Sequence, residues 1–193
     1  MTDNSLAPFD IAMPAITPQE AVRPSAPAGI FVTYCESPVG LLRVSGTDEY
    51  VQEVHFLENA EVHSTFAATP ALPSVAIQAI KQLQEYIAGT RRIFDFPMQQ
   101  QGTPFQQIVW QELVKIPFGK TISYLELSRR LGDSKVIRAA ASANGKNQLA
   151  IVVPCHRVIG SNNDLIGYAG GLWRKRWLLE HENKIANGVQ TLF

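Results

Sequence analysis

The chain has 193 residues, 46% of them hydrophobic and 18% charged, which is enough apolar material for one full-sized globular domain or two small ones and excludes wholesale disorder. Its longest apolar runs fall far short of the about eighteen residues of a membrane span, and the N-terminus lacks the basic-then-apolar order of a secretion signal, so a cytosolic, cytoplasmic location is expected. A formal net charge of zero conceals a split: residues 1–102 hold 5 Lys and Arg against 11 Asp and Glu, and residues 103–193 hold 12 against 6.

Residues 1–28 contain five of the twelve prolines and little periodicity, and they read as a flexible N-terminal extension. Residues 29–95 form the next unit. It opens with short β-rich runs, F-V-T-Y around Val32, L-L-R-V after S-P-V-G, and the alternating Y-V-Q-E-V-H-F, which predict a small antiparallel sheet. A helix follows over residues 75–88, with Ile77, Ile80, Leu83 and Ile87 spaced to face a core and Gly89 as its stop. Nothing in this lobe suggests chemistry, and Cys35 reads as packing.

Residues 96–102 read as a linker, and residues 103–184 as a second unit followed by a tail over 185–193. Residues 105–116 predict a helix that turns Ile108, Val109, Leu113 and Ile116 inward, with Trp110 in the core. Ser123 and Glu126 have capping-box spacing and open a short helix that Gly132 ends. Asp133 or Ser134 caps the next helix, which closes at Gly145. Two short helices around a Gly-containing turn match a helix-turn-helix, whose second helix enters a DNA groove; a helical hairpin without that role has the same spacing. The positive charge of this half suits a polyanion, though a solvated basic face gives the same count. The second helix bears Lys135 and Arg138 but is otherwise Ala139, Ala140, Ala141, Ser142 and Ala143, small groups that allow close approach and read few base edges, so sequence preference is expected to be weak.

The stretch I-V-V-P-C-H-R-V-I-G begins with three aliphatics that predict a buried strand over residues 151–153, stopped by Pro154 and presenting Cys155 and His156 at its end. A thiol beside an imidazole has the makings of an activated nucleophile, whereas a lone cysteine is more often a small core residue. The two cysteines lie far apart without zinc-ligand spacing, and no nucleotide loop appears, so no cofactor or metal is expected.

P-C-H-R, with I-S-Y at residues 122–124, the Ala-rich stretch ending in Asn147, G-Y-A-G-G at 167–171 and R-W-L-L-E-H-E at 176–182, resembles the O6-alkylguanine-DNA alkyltransferases, also called methylated-DNA–protein-cysteine methyltransferases. The resemblance implies an α+β fold, a small ribonuclease-H-like lobe of antiparallel sheet plus helix followed by a mostly helical, winged-helix-like DNA-binding domain. It implies a monomer that needs no cofactor, membrane or obligate protein partner. Its substrate would be double-stranded DNA containing O6-alkylguanine, whose alkyl group passes irreversibly to Cys155 in a single turnover after the nucleotide is flipped out of the helix. By the same resemblance His156 relays the thiol proton through a water and Glu182 orients the imidazole. Tyr124 crowds the backbone and donates to the base, and Arg138 fills the gap the base leaves, with Lys135, Ala139 and Ser142 on the same DNA-facing helix. The carbonyls of Cys155 and Val158 select the guanine amine, the N–H of Ala169 lies near O6, Tyr168 lines the pocket, and Asn147 and Arg157 support the site.

Three departures from the family pattern stand out: Ala141 replaces a glycine on the DNA-facing helix, Gln148 replaces a proline and is expected to loosen the turn, and Trp173 adds an aromatic near the rim, as loop packing or as a substrate contact. His181 reads as a surface residue. The competing functions are a non-catalytic binder of alkylated DNA, which Cys155 argues against, and a DNA-binding regulator with a sensor cysteine.

Overall fold

The computed structural model describes residues 29–58 and 71–188. The extension predicted over residues 1–28 and the end of the tail from residue 189 lie outside the described residues. Strands β1 (Phe31–Cys35), β2 (Leu42–Gly46) and β3 (Val51–Phe56) form an antiparallel sheet in the order β1-β2-β3. Phe31, Leu42, Val44 and Val54 turn inward with period two, and an irregularity in the β2–β3 register at Ser45/Gly46 breaks the alternation so that Val51, three residues before Val54, is buried as well.

Helix α1 (Ser74–Ile87) covers that sheet with Leu83 buried and Ile80 and Ile87 packed against the core as expected, and only Ile77 departs from the predicted stripe. Its buried positions include Val75, Ala76, Ala79, Leu83 and Tyr86, while Ile77 is 58% exposed. The alanines let the helix approach the sheet closely, and Tyr86 then reaches past the sheet toward the second lobe. Residues 96–102 are tied back to β3: Val51 N–H donates to Pro97 O at 3.0 Å and Gln99 N–H to Val51 O at 2.9 Å.

Helix α2 (Pro104–Val114) starts at a full capping box, in which Thr103 and Gln106 exchange side-chain and backbone hydrogen bonds. Val109, Trp110 and Leu113 are buried, and Ile108, expected inside, is 51% exposed. Trp110 Nε1 donates to Ala143 O at 2.9 Å and so fastens α2 to the last turn of the later helix. The Ser123 hydroxyl accepts from Glu126 N–H at 3.0 Å and opens α3 (Tyr124–Arg130). Gly132 takes φ +90°, a 3-10 turn spans Ser134–Val136, and α4 (Ile137–Gly145) completes the helix-turn-helix. The long helix α5 (Leu172–Asn187) closes the fold. The architecture is α+β, as expected, and no helix among the described residues is long and apolar enough to cross a membrane.

The strand predicted over residues 151–153 is not one. Leu149 forms a single parallel bridge to Val54, Ile151 adopts φ +70°, and the chain turns, with Val153 N–H donating to Leu149 O at 2.9 Å. A short apolar run cannot by periodicity distinguish a strand from a buried turn. The pairing occurs later: β4 (Ile122–Ser123) and β5 (Val158–Ile159) run parallel, with Ile122 opposite Val158.

Candidate active site

All ten residues 151–160 are buried. A β-branched residue at positive φ such as Ile151 is costly, on the order of 1–3 kcal/mol, and is retained only where the surroundings over-determine it. Asn147 supplies much of that determination. Its Nδ2 lies 2.8 Å from Val153 O, 3.3 Å from Leu149 O and 3.1 Å from Cys155 Sγ, and its Oδ1 accepts from Leu149 N–H at 3.0 Å. The turn thus delivers Cys155 and His156 on a 3-10 segment, Cys155–Arg157, rather than at a strand end. Gln148 does not loosen it: its N–H donates to Gln100 Oε1 at 2.8 Å, a bond that a proline would lack.

Burial pushes the Cys155 thiol above its ordinary range, while the Asn147 amide and the Lys175 ammonium pull it back down. Burial also lowers His156, and Glu182 only partly offsets this, so the imidazole is neutral near pH 7. Its Nε2 lies 2.8 Å from Glu182 Oε1. A neutral ring that donates Nε2–H to a carboxylate carries its lone pair on Nδ1, and Nδ1 is buried with no protein partner. That is the protonation state a general base requires.

Glu182 is fully buried and is held by five groups. Besides His156, Tyr86 Oη donates to Oε1 at 2.8 Å, Arg157 Nε and Nη2 each donate at 2.9 Å, and Gly119 N–H donates to Oε2 at 3.0 Å. Burial alone would raise this carboxyl; His156 and Arg157 outweigh it and hold the group far below the usual carboxylate range.

Two cavities meet over this network. One of about 80 Å³ is lined by Cys155, Asn144, Asn147, Tyr168 and, from β3, His55 and Phe56. The other, about 560 Å³, is lined by Tyr124, Arg138, Ala141, Gly160 and Ile166. Gly145, Gly167, Tyr168 and Ala169 border both. Burial and the nearby Cys155 raise Tyr124, so its hydroxyl remains a donor. Tyr168 Oη is buried without a protein partner. Val158 lies on β5 and its carbonyl accepts from Lys175 Nζ at 2.6 Å. Lys135, Arg138, Ala139 and Ser142 form an exposed face of the helix-turn-helix, whereas Ala140, Ala143 and Asn144 point inward.

Several residues at the site were not singled out from the sequence. Lys175, fully buried, donates to the carbonyls of Val158, Ile166 and Gly167, and burial brings its ammonium down to about 8. Asn144 Nδ2 approaches Tyr124 Oη at 3.5 Å and Cys155 O at 3.4 Å. Phe56 meets Tyr168 edge-on at 6.2 Å. His181, read as a surface residue, is half-buried: its ring stacks on Trp177 at 4.8 Å and its Nε2 lies 2.9 Å from Tyr86 O. Trp173 is 56% exposed against the Arg174 guanidinium, 4.6 Å away, and lines neither cavity.

Residues 104–184 match the family model described as 6-O-methylguanine DNA methyltransferase, DNA binding domain. The methylated-DNA–protein-cysteine methyltransferase of Mycobacterium tuberculosis H37Rv is 42% identical over 158 residues, 82% of this chain and 95% of that protein. The constitutive enzyme of that name from Bacillus subtilis is 40% identical over 151 residues, 72% of this chain and 87% of that protein. Among solved structures, M. tuberculosis OGT in complex with DNA aligns at a TM-score of 0.70 and 42% identity, covering 79% of this chain and 92% of that one. The methyltransferase of Pyrococcus kodakaraensis, at 24% identity and a TM-score of 0.58, shares the fold. With a relative this similar matched over nearly its whole length, the chain belongs to the methylated-DNA–protein-cysteine methyltransferase family.

Proposed function

We propose that this chain repairs O6-alkylguanine in duplex DNA by moving the alkyl group to its own Cys155. The observation that carries the reading is the Cys155 cavity, which shares a wall with a larger cavity opening beside Tyr124 and Arg138 of the helix-turn-helix. A damaged base turned out of the duplex occupies the larger space and directs its O6 substituent into the smaller one. The exposed face of α4 meets the groove, and Arg138 fills the gap left in the stack. Tyr124 crowds the phosphate backbone, and the exposed Lys135, Ala139 and Ser142 line the contact.

His156 Nδ1 takes the thiol proton through a water, and Glu182 fixes the ring and stabilises its cation. Sulfur then attacks the alkyl carbon as the C–O bond breaks. A thioether forms, and the guanine leaves with the bonding electrons and receives a proton. The Tyr124 hydroxyl donates to N3, the Ala169 N–H faces O6, the carbonyls of Cys155 and Val158 accept from the exocyclic amine, and Tyr168 lines the pocket. Asn147 and Arg157 hold the nucleophile and the carboxylate. The thioether is stable, so each chain reacts once. The chain acts as a cytoplasmic monomer without a cofactor.

Incubation with a duplex oligonucleotide carrying O6-methylguanine, followed by intact-mass and peptide analysis, tests this. One methyl group per chain on Cys155 is expected, with no transfer by Cys155→Ala and nearly unchanged DNA affinity. Repeated turnover, or methylation elsewhere, overturns the reading.

A further inference from the structure

The first lobe, which the sequence leaves without chemistry, reaches the Glu182–His156 pair through Tyr86. Tyr86 lies on α1, 96 positions from Glu182, and its hydroxyl donates to Glu182 Oε1 at 2.8 Å. This is the oxygen that also faces His156 Nε2. Tyr86 is fully buried, and its ring is locked by Phe94 at 5.7 Å, Phe118 at 5.9 Å and His181 at 5.5 Å. A hydroxyl fixed in this way cannot turn to another partner, and beside an ionised carboxylate it can only donate.

Resting on the function proposed above, we infer that Tyr86 is a positioning residue for the transfer reaction, one that aims Glu182 at His156 and moderates the charge the imidazole feels. Each donor to Oε1 withdraws negative charge from the oxygen facing His156. Removing the Tyr86 hydroxyl leaves the carboxylate more negative, favours the imidazolium, and makes the base protonate at higher pH. The other charged or titratable groups around the pair stay in place: Arg157 on the same 3-10 turn, Lys175 on α5, and Cys155 and Tyr168 at the cavity. Behind Tyr86 are His181, and Arg92 over the Phe118 ring at 5.6 Å. Burial and the Glu182 charge hold the Tyr86 hydroxyl protonated throughout the working range.

The test is the single-turnover rate of methyl transfer from duplex O6-methylguanine against pH, for the full-length wild type, Tyr86→Phe, and a protein with 3-fluorotyrosine at position 86. In Tyr86→Phe the acid limb of the profile is expected to move up by roughly half a pH unit, which lowers the rate below its midpoint by about threefold. The fluorinated ring keeps the volume and donates more strongly, so the limb is expected to move down; this arm stands even where the phenylalanine variant folds poorly. A limb that does not move in either protein overturns the inference, and so does a uniform loss of rate at every pH, which would make Tyr86 only a filler of space. Unmoved limbs in both altered proteins, alongside a wild type that transfers the methyl group, sink this inference alone. A wild type that transfers nothing sinks the function proposed above and this inference with it.

Discussion

The side-chain amide of Asn147 lies 3.1 Å from the sulfur of Cys155, and the same amide nitrogen bonds the Val153 carbonyl that precedes the nucleophile. Fixing the turn and favouring the thiolate are therefore one task in this protein. Asn147→Ala leaves the Leu149 N–H and the Val153 carbonyl buried without that partner, a loss of about 2 kcal/mol that should lower the melting temperature by roughly 4–8 °C. The thiol, already raised by burial, rises further, and the transfer rate at pH 7 should fall by about tenfold or more. Calorimetry and quenched-flow transfer assays read the two effects separately.

Glu182 makes stability depend on acid. Its carboxyl is held far below the ordinary 4.5, so on acidification the unfolded chain takes up this proton first. The stabilisation is complete above about 4.5 and is lost as pH falls toward the folded value. Urea denaturation should show that Glu182→Gln is weaker by about 3–5 kcal/mol at pH 7, because Arg157 is left buried without its counter-charge. The variant should also lose less stability than the wild type between pH 5 and 3. Equal losses in the two proteins would place the acid sensitivity elsewhere.

Lys175 works in the opposite pH range. Burial brings its ammonium from 10.5 down to about 8, so the charged form disfavours folding below about 8 and the penalty lifts between 8 and 10.5, where only the unfolded chain keeps the proton. Cys35, pushed up to about 11 by burial, acts against this at alkaline pH, so the wild-type slope is a composite. The difference in unfolding free energy between wild type and Lys175→Met, followed from pH 7 to 10, isolates the lysine and should change sharply above 8. A flat difference would mean that the three carbonyls stabilise the ammonium as well as water does.

Arg138 is exposed on α4 and borders the larger cavity. Arg138→Ala should slow transfer from duplex DNA by about tenfold while leaving a single-stranded substrate almost unaffected, since only the duplex requires extrusion. Its salt dependence of binding should fall by about one phosphate equivalent. Equal slowing on both substrates would assign Arg138 to general electrostatics.

Local rules revealed the helix stops at Gly89 and Gly132, the helix-turn-helix and the three-stranded sheet, because each follows from nearby residues. On α1 the inward stripe is as expected at Ile80, Leu83 and Ile87 and was misjudged only at Ile77, because periodicity favours large aliphatics, whereas Val75, Ala76 and Ala79 are the buried positions of the first turns. Residues 151–153 resembled a strand because apolar β-branched residues suit a buried turn equally well, and the deciding bonds come from Asn147. Cys155, His156 and Glu182 were recognisable through motifs. Tyr86 and Lys175 were not, since one acts across 96 positions and the other lies within the basic run R-K-R, where solvent exposure is the ordinary expectation.

Arg174 spans both halves of the molecule. Its guanidinium bonds Val39 O, Leu57 O and Glu58 on one side and Gly170 O on the other, and it lies 5.0 Å from the Phe56 ring. A piece cut at the 96–102 segment would carry every reacting group yet leave that cation with Gly170 O alone of these acceptors, beside an uncovered apolar scar. The reactive half is thus not a portable module, and any fusion or trimmed variant has to retain the sheet that appears to the eye to be mere scaffolding.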